Sequence, residues 1–343
     1  MLMIFENWGI MQMLANIKKF IRMDEWLSSK VTMMLAVQIY FFLLASEKNI
    51  AKFMINFIAY LLFIFMFLGV SYVVNDLSDL EIDKKAGKKK IIATMPKWLV
   101  YLAMFCMLII GNIPIIVVSS FNKICIICIL IIYFFGISYS IPLFRFKEKG
   151  LIGLIECSLA QRCMPLIIIA FLEQVNYLYL SIWILMSFFN GLRYILIHQI
   201  LDLENDIKTG VKTFVSTRKG NYKKAIYILF VLEIICVCLL LIPFIMERNI
   251  IIIIGLALYL FLEYCSYMVL KVYAKKEWLV TFDSVPLEAL YNICMPILFS
   301  IYGAFYDWRF LIIICALFAM TYKSITIKLG LVKLYCESKL KRS

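Results

Sequence analysis

Residues 51–90 read "AKFMINFIAYLLFIFMFLGVSYVVNDLSDLEIDKKAGKKK". A nearly unbroken apolar run ends at Val74, carboxylates follow at Asp76, Asp79, Glu81 and Asp83, and a burst of lysines closes the stretch. The run matches the roughly 17–25 residues that cross a hydrocarbon core. Similar runs recur along the whole chain. Hydrophobic residues are 64% of the 343 and charged ones 17%, with a mean hydropathy of +0.93. A soluble domain of this length cannot bury that much apolar surface. The expected fold class is therefore an all-α polytopic membrane protein, a bundle of nine or ten transmembrane helices around an apolar cavity open to the cytoplasmic interface.

Apolar segments stand near residues 31–46, 51–74, 97–119, 122–140, 151–172, 178–201, 223–246, 249–272, 286–304 and 309–328. The first is short, and the ninth carries Pro286, Glu288, Asn292 and Pro296, so a broken or re-entrant segment is expected there. The connections alternate in charge. One set holds Lys84, Lys85, Lys88, Lys89 and Lys90; Arg145, Lys147 and Lys149; Lys208, Lys212, Arg218 and Lys219; and Lys271, Lys275 and Lys276. The other set is short and nearly uncharged: "SEKN", "SSFNK", "EQVN", "ERN" and "YDW". The positive-inside rule puts the first set in the cytoplasm. Lys18, Lys19, Arg22 and Lys30 before the first segment, and the basic residues after the last, put both termini there too. The reading divides the chain into an interfacial amphipathic segment over 1–30, a transmembrane bundle over 31–328 and a basic cytoplasmic tail over 329–343.

The net charge of +13 then reflects topology and contact with anionic lipid rather than nucleic acid, which is not expected as a partner. The N-terminus lacks the basic region and the small-residue cleavage site of a signal peptide. The eleven cysteines are scattered through apolar helix. Cys125 with Cys128, and Cys236 with Cys238, lack a second pair or a nearby histidine, so packing is their expected role.

The carboxylates carry the chemistry. Asn75, Asp79 and Asp83 are spaced four apart and share one helix face, with Asp76 and Glu81 off that line. The arrangement recurs in "HQILDLENDIKTGVKT", where Asp202 and Asp206 are again four apart and Glu204 and Asn205 lie between them. Extended backward, this second stripe passes through His198, Tyr194 and Asn190. Ionisable groups at such depth are costly unless they face a cavity or a partner. Two carboxylates about 6 Å apart repel by roughly 3 kcal/mol at an effective dielectric near 20. Lysines alone would give a structural network, whereas carboxylate and amide oxygens are the ligands that Mg²⁺ prefers. Mg²⁺ commonly bridges to phosphate, and the neighbouring lysines would meet the remaining phosphate charge. A diphosphate head at the interface with a hydrocarbon tail between helices fits that geometry, which describes a polyprenyl diphosphate.

The two motifs resemble those of the UbiA superfamily of intramembrane prenyltransferases, NDxxDxxxD and DxxxDxxxG. Here they stand as Asn75-Asp76-x-x-Asp79-x-x-x-Asp83 and Asp202-x-x-x-Asp206-x-x-x-Gly210. "YSIPLFRFK" at 139–147 resembles the family's aromatic, proline and basic segment, and "IRMDEW" at 21–26 its "RPxxW" opening. The chain departs from the family in Met23 for proline, in "KKAGKKKIIATMP" for an "RPLP"-type segment, and in ten segments where nine are usual.

The resemblance implies transfer of a polyprenyl group from a polyprenyl diphosphate to a small, aromatic acceptor by ionisation of the allylic diphosphate. It implies two Mg²⁺ ions, with Mn²⁺ as a substitute: Asn75, Asp79 and Asp83 for one, Asp202 and Asp206 for the other. Arg22, Asp76, Lys88, Arg145, Lys147 and Lys212 fall to substrate binding. Tyr72, Tyr139 and Tyr194 are candidates to face an allylic cation. His198 has two readings, a cavity-wall residue bonded to Asp202 or a group that orients or deprotonates the acceptor. A structural ion pair between neighbouring helices is expected for Glu156 and Arg162, and Arg193 is a further ionisable group within the bundle. The acceptor stays open among phenolic acids, a tetrapyrrole acid, glyceryl phosphate and phosphoribosyl diphosphate, and cyclisation without an acceptor is an alternative. A cation-binding transporter is the rival from another class, and a scaffold that binds lipid diphosphates without turnover is a third. The nearly apolar outer half of residues 51–69 speaks against a transport pathway.

Topology gives a direct check. A reporter fused after Ser343 is expected to read cytoplasmic. An external signal would mean an odd number of crossings, with the segment near 286–304 failing to span.

Overall fold

The computed structural model describes residues 12–85, 87, 90–210, 212–217, 220, 222–272 and 287–340. Among them the chain is helical and forms no strand. Ten apolar helices follow in order: α1 Met23–Leu44, α2 Ile50–Lys85, α3 Lys97–Val118, α4 Lys123–Ser138, α5 Leu151–Leu172, α6 Tyr177–Leu201, α7 Tyr222–Met246, α8 Ile250–Val272, α9 Leu290–Ala304 and α10 Phe310–Leu340. Eight of them are long and apolar enough to cross a membrane; α4 and α9 are shorter. At about 1.5 Å per residue α9 rises about 22 Å, less than the roughly 30 Å hydrocarbon core. It opens on an irregular turn with Pro296 just beyond it. Pro286 lies outside the described residues.

Large apolar side chains such as Trp98, Phe105, Ile113 and Val117 on α3 point outward and are exposed. A water-soluble fold could not carry such a surface, and a lipid-facing one requires it. Inside, α2 packs along α3, α6 along α7, and α1 against α9. The centre is aromatic. Tyr40 meets Trp183 at 5.5 Å and Phe244 at 5.6 Å, edge to face, and both partners are fully buried. On α2, Phe53, Tyr60, Phe63 and Phe67 are equally enclosed. This apolar plug closes the bundle away from the acidic motifs, which is the outcome the sequence of residues 51–69 implied.

Four local features place the site. Helix α2 runs 36 residues, about 54 Å, so the first motif rides on unbroken helix beyond the apolar run. Gly210, at positive φ, ends the short helix Leu203–Thr209 that carries Asp206, a conformation that costs glycine nothing. Gly191 lets α6 approach α5 so closely that a Cβ there would collide with Ser158 Oγ. Three helices widen into single π turns, at Leu27–Val31 in α1, Leu159–Cys163 in α5 and Leu290–Cys294 in α9. Such turns are frequently found at functional sites.

The first helix begins eight residues earlier than its apolar run suggested, because the tight turn Met23–Glu25 and the π turn carry it through "MDEWLSSK". Lys30, taken in the sequence as a flanking charge, is therefore inside the bundle and only 5% exposed. Residues 12–20 are helical, with Met13, Leu14 and Ile17 exposed, as an interfacial segment requires. At the other end α10 continues as helix to Leu340, so the basic tail begins as helix rather than coil.

Candidate functional site

A cavity of about 620 Å³ opens between α1, α2, α4, α5 and α6. Asn75 and His198, one from each motif-bearing helix, both line it, and so do Tyr72, Tyr139 and Tyr194. Asp79, Asp83, Asp202 and Asp206 do not line it.

The first motif is held by basic side chains. Asp79 accepts from Lys147 Nζ at 2.6 Å through Oδ2, with Arg145 Nη2 at 3.6 Å. Asp83 lies 3.8 Å from Lys90 Nζ, and Asn75 Oδ1 accepts from Ser140 Oγ at 2.8 Å. The segment 139–147 can do this because Arg145 sits at positive φ and the Lys147 amide returns to the Tyr139 carbonyl at 3.2 Å, folding the loop under α2. Asp76 differs from its neighbours. It is buried, and its Oδ1 accepts from both Lys90 at 2.9 Å and Arg22 at 3.1 Å. Burial opposes the charge of Arg22, but the hydrogen bonds it donates to Glu25 and the fields of Glu25 and Asp76 outweigh it and hold its pKa above the ordinary value. Trp26 anchors this opening: its ring is fully buried edge-on against Phe65, and Nε1 donates to the Ile21 carbonyl at 2.8 Å.

The second motif is more open. His198 Nδ1 stands 3.4 Å from Asp202, with the two side chains 59% and 51% exposed. Asp206 accepts from Thr213 Oγ1 at 3.0 Å, which ties the "GVKT" segment back to the motif. Lys212 is exposed. Lys88 and the side chain of Asn205 lie outside the described residues, and it is Lys90 that contacts the first motif.

Two expectations need correction. Among the described residues neither Glu156 nor Arg162 forms an ion pair, with a neighbouring helix or with each other. They are six residues apart on one helix, about 9 Å along its axis and on different faces. Glu156 accepts from Ser138 at 3.1 Å, while Arg162 donates to Asn190 and stacks 5.1 Å over Tyr194. Asn190 does not line the cavity. It joins a buried network in which Arg193 pairs with Glu233 at 2.5 and 2.9 Å and Tyr291 donates to Glu233 at 2.6 Å. Lys30, Gln161 and Arg162, which also line the cavity, were not singled out in the sequence as site residues. Each lies in a π turn, which leaves no periodic signature. The eleven cysteines are free thiols.

The oxygen-only donors of the two motifs, carboxylate and amide, suit a hard divalent cation. Among the described residues no three His, Cys, Asp or Glu side chains stand together as a preformed metal group. The first-motif carboxylates face ammonium and guanidinium groups instead. These are side chains that can turn away to a phosphate when a metal takes their place, so the residues present fit the ion.

The sequence matches the UbiA prenyltransferase family over residues 32–285. No curated protein matches it. Among solved structures, that of a digeranylgeranylglyceryl phosphate synthase is 18% identical with a TM-score of 0.50, covering 93% of this chain and 99% of the other. A UbiA homolog from Archaeoglobus fulgidus is 17% identical with a TM-score of 0.52 and the same coverage. These likenesses concern the fold.

The position of Asp76 separates it from its motif partners. Asp76→Asn would leave Arg22 and Lys90 facing each other across a buried amide. Removing one partner of a buried ion pair costs about 3–5 kcal/mol, and the part exposure of the two cations brings this to roughly 2–4 kcal/mol. A clear fall in thermal midpoint in detergent is expected for Asp76→Asn and not for Asp79→Asn; equal melting of the two variants would remove the distinction.

Proposed function

The chain belongs to the UbiA prenyltransferase family and is a prenyltransferase of the membrane, and from that premise we propose that it moves a polyprenyl group from a polyprenyl diphosphate to a small acceptor, aromatic in our reading, by ionising the donor first. The observation that carries this is the cavity: Asn75 of the first motif and His198, one turn before the second, line one space whose walls hold three tyrosines. The plug also speaks against a cation pathway through the bundle.

In this reading Asn75, Asp79 and Asp83 hold one Mg²⁺, and Asp202 and Asp206 a second. Bound Mg²⁺ supplies Lewis-acid stabilisation of the charge that develops on the departing diphosphate. Arg145, Lys147 and Lys90, released from Asp79 and Asp83, would turn to the same oxygens, and Arg22 and Lys212 are assigned to the remaining phosphate charge. Stabilising charge where it develops is the larger part of such catalysis. As the C1–O bond breaks, the electron pair leaves with the diphosphate and the allylic carbon becomes cationic. Tyr72, Tyr139 and Tyr194 face that carbon and the plug excludes water. The faces of Tyr72 and Tyr194 already accept cations, from Arg22 at 5.2 Å and Arg162 at 5.1 Å. The acceptor's electron pair then closes the new bond, and the proton it loses passes to His198. The site faces the cytoplasm, with both termini on that side.

Diphosphate release is expected to require Mg²⁺ or Mn²⁺ and to stop with chelator, and Asp79→Ala and Asp202→Ala are each expected to remove it while the protein stays folded. Full turnover in chelator, or in both variants, would sink the two-metal assignment.

His198→Ala separates the two readings of that residue. A proton-transfer role is worth roughly 10²–10⁴-fold. Alkylated acceptor should fall and hydrolysed prenyl alcohol should rise, as read by mass spectrometry. Equal loss of both products would reduce His198 to a brace for Asp202.

A further inference from the structure

Most charged groups lining the cavity are matched. Arg22 is held by Glu25 and Asp76, and Asp24 by Lys18 at 2.8 Å. Two cations are left over. Lys30 and Arg162 line the cavity at 5% and 2% exposure, and among the described residues neither forms an ion pair. Lys30 Nζ donates only to neutral groups, the Tyr72 hydroxyl at 3.0 Å and Gln161 Oε1. Arg162 Nη1 donates to Asn190 and, at 3.4 Å, to the Ser29 carbonyl, while its Nη2 is buried without a hydrogen-bond partner. Glu288 acts on Arg162 from beyond ion-pair distance and accepts from Asn292 at 3.3 Å. A buried cation without a salt-bridged acid is a costly group for a fold to hold, and here there are two.

They are also held in place. Both come from π turns, which tip side chains off the regular helix faces and into the cavity. Behind Arg162, Asn190 is clamped by Tyr291 and Glu233, and Glu233 by Arg193, so the guanidinium cannot swing away to find an acid. We propose that Lys30 and Arg162 form an anion subsite that binds the acidic group, carboxylate or phosphate, of the acceptor. This rests on the reading of the cavity as the prenyl-transfer site.

The donor diphosphate does not need these two residues. Its charge falls at the motif end, where Arg22, Lys90, Arg145 and Lys147 are partly exposed. Arg162 bonds Asn190, which precedes Asp202 by twelve residues, about 18 Å along the helix. An acceptor anchored there by its anion still passes Tyr72, three residues from Asn75, and Tyr194, one turn from His198. Its reactive end then points toward the motifs.

The test uses the purified full chain in detergent with Mg²⁺. Direct binding is measured for 4-hydroxybenzoate against 4-hydroxybenzamide, and for glycerol 1-phosphate against glycerol, which separates carboxylate from phosphate. Diphosphate release from geranyl diphosphate is followed in parallel. One anion should bind at least about tenfold more tightly than its neutral counterpart, the worth of one charged hydrogen bond. Lys30→Met and Arg162→Met should erase that preference, and Arg162→Lys should restore part of it. The proposal falls if neither anion is preferred, or if the variants lose anion binding and diphosphate release in equal proportion, which would place these cations on the donor. Should a methionine variant fail to fold, the wild-type comparison of each anion with its neutral counterpart still decides. Anion preference without any diphosphate release would keep the subsite and remove the prenyl-transfer reading instead.

Discussion

Charge inside an apolar bundle has to be answered by charge, and the way each carboxylate and cation is answered organises this protein. Asp76 is answered permanently, between Arg22 and Lys90, and so ties the N-terminal opening to the loop after α2. Glu233 is answered permanently by Arg193, with both side chains fully buried, and joins α6 to α7. Asp79 and Asp83 are answered by long, partly exposed lysines and an arginine on separate loops. A flexible ammonium on a partly exposed carboxylate is a weaker structural tie than a buried pair. It keeps the acid soluble in the bundle end until a better cation arrives. The distinction between Asp76 and its neighbours is thus one of burial and not of residue type.

Much of this was legible before any coordinates. Apolar length and alternating loop charge gave the helices, because a membrane imposes one length and one charge bias on every crossing. The two aspartate motifs were legible because four-residue spacing puts side chains on one face, and the second copy made chance a poor explanation for the first. Tyr194 and His198 followed from the second stripe, Tyr72 and Tyr139 from the family resemblance, and all four line one cavity.

What failed to show in the sequence has a common cause. Lys30 reads as one more basic flank until the turn at Leu27–Val31 carries the helix past it. Gln161 and Arg162 fall where the 3.6-residue repeat is interrupted, so projecting them on a regular wheel assigns the wrong faces. Lys90 stands among five lysines in seven residues, and composition alone cannot say which reaches Asp76. Periodicity reads regular helix well, and it loses the residues that irregular turns deliver.

Those turns give the cavity two unlike ends. At the motif end, the acids are covered by lysines and an arginine at 14–22% exposure, long side chains that can exchange partners. At the inner end, Lys30 and Arg162 are enclosed, fixed from behind and unmatched. A substrate that brings its own negative charge and its own metal suits the first, since lysines displaced from carboxylates need new oxygens. Only a group that arrives as an anion, without metal, suits the second. In the proposed reading this order of polarity along the cavity would orient donor and acceptor by charge, with their reacting carbons beside the tyrosines between.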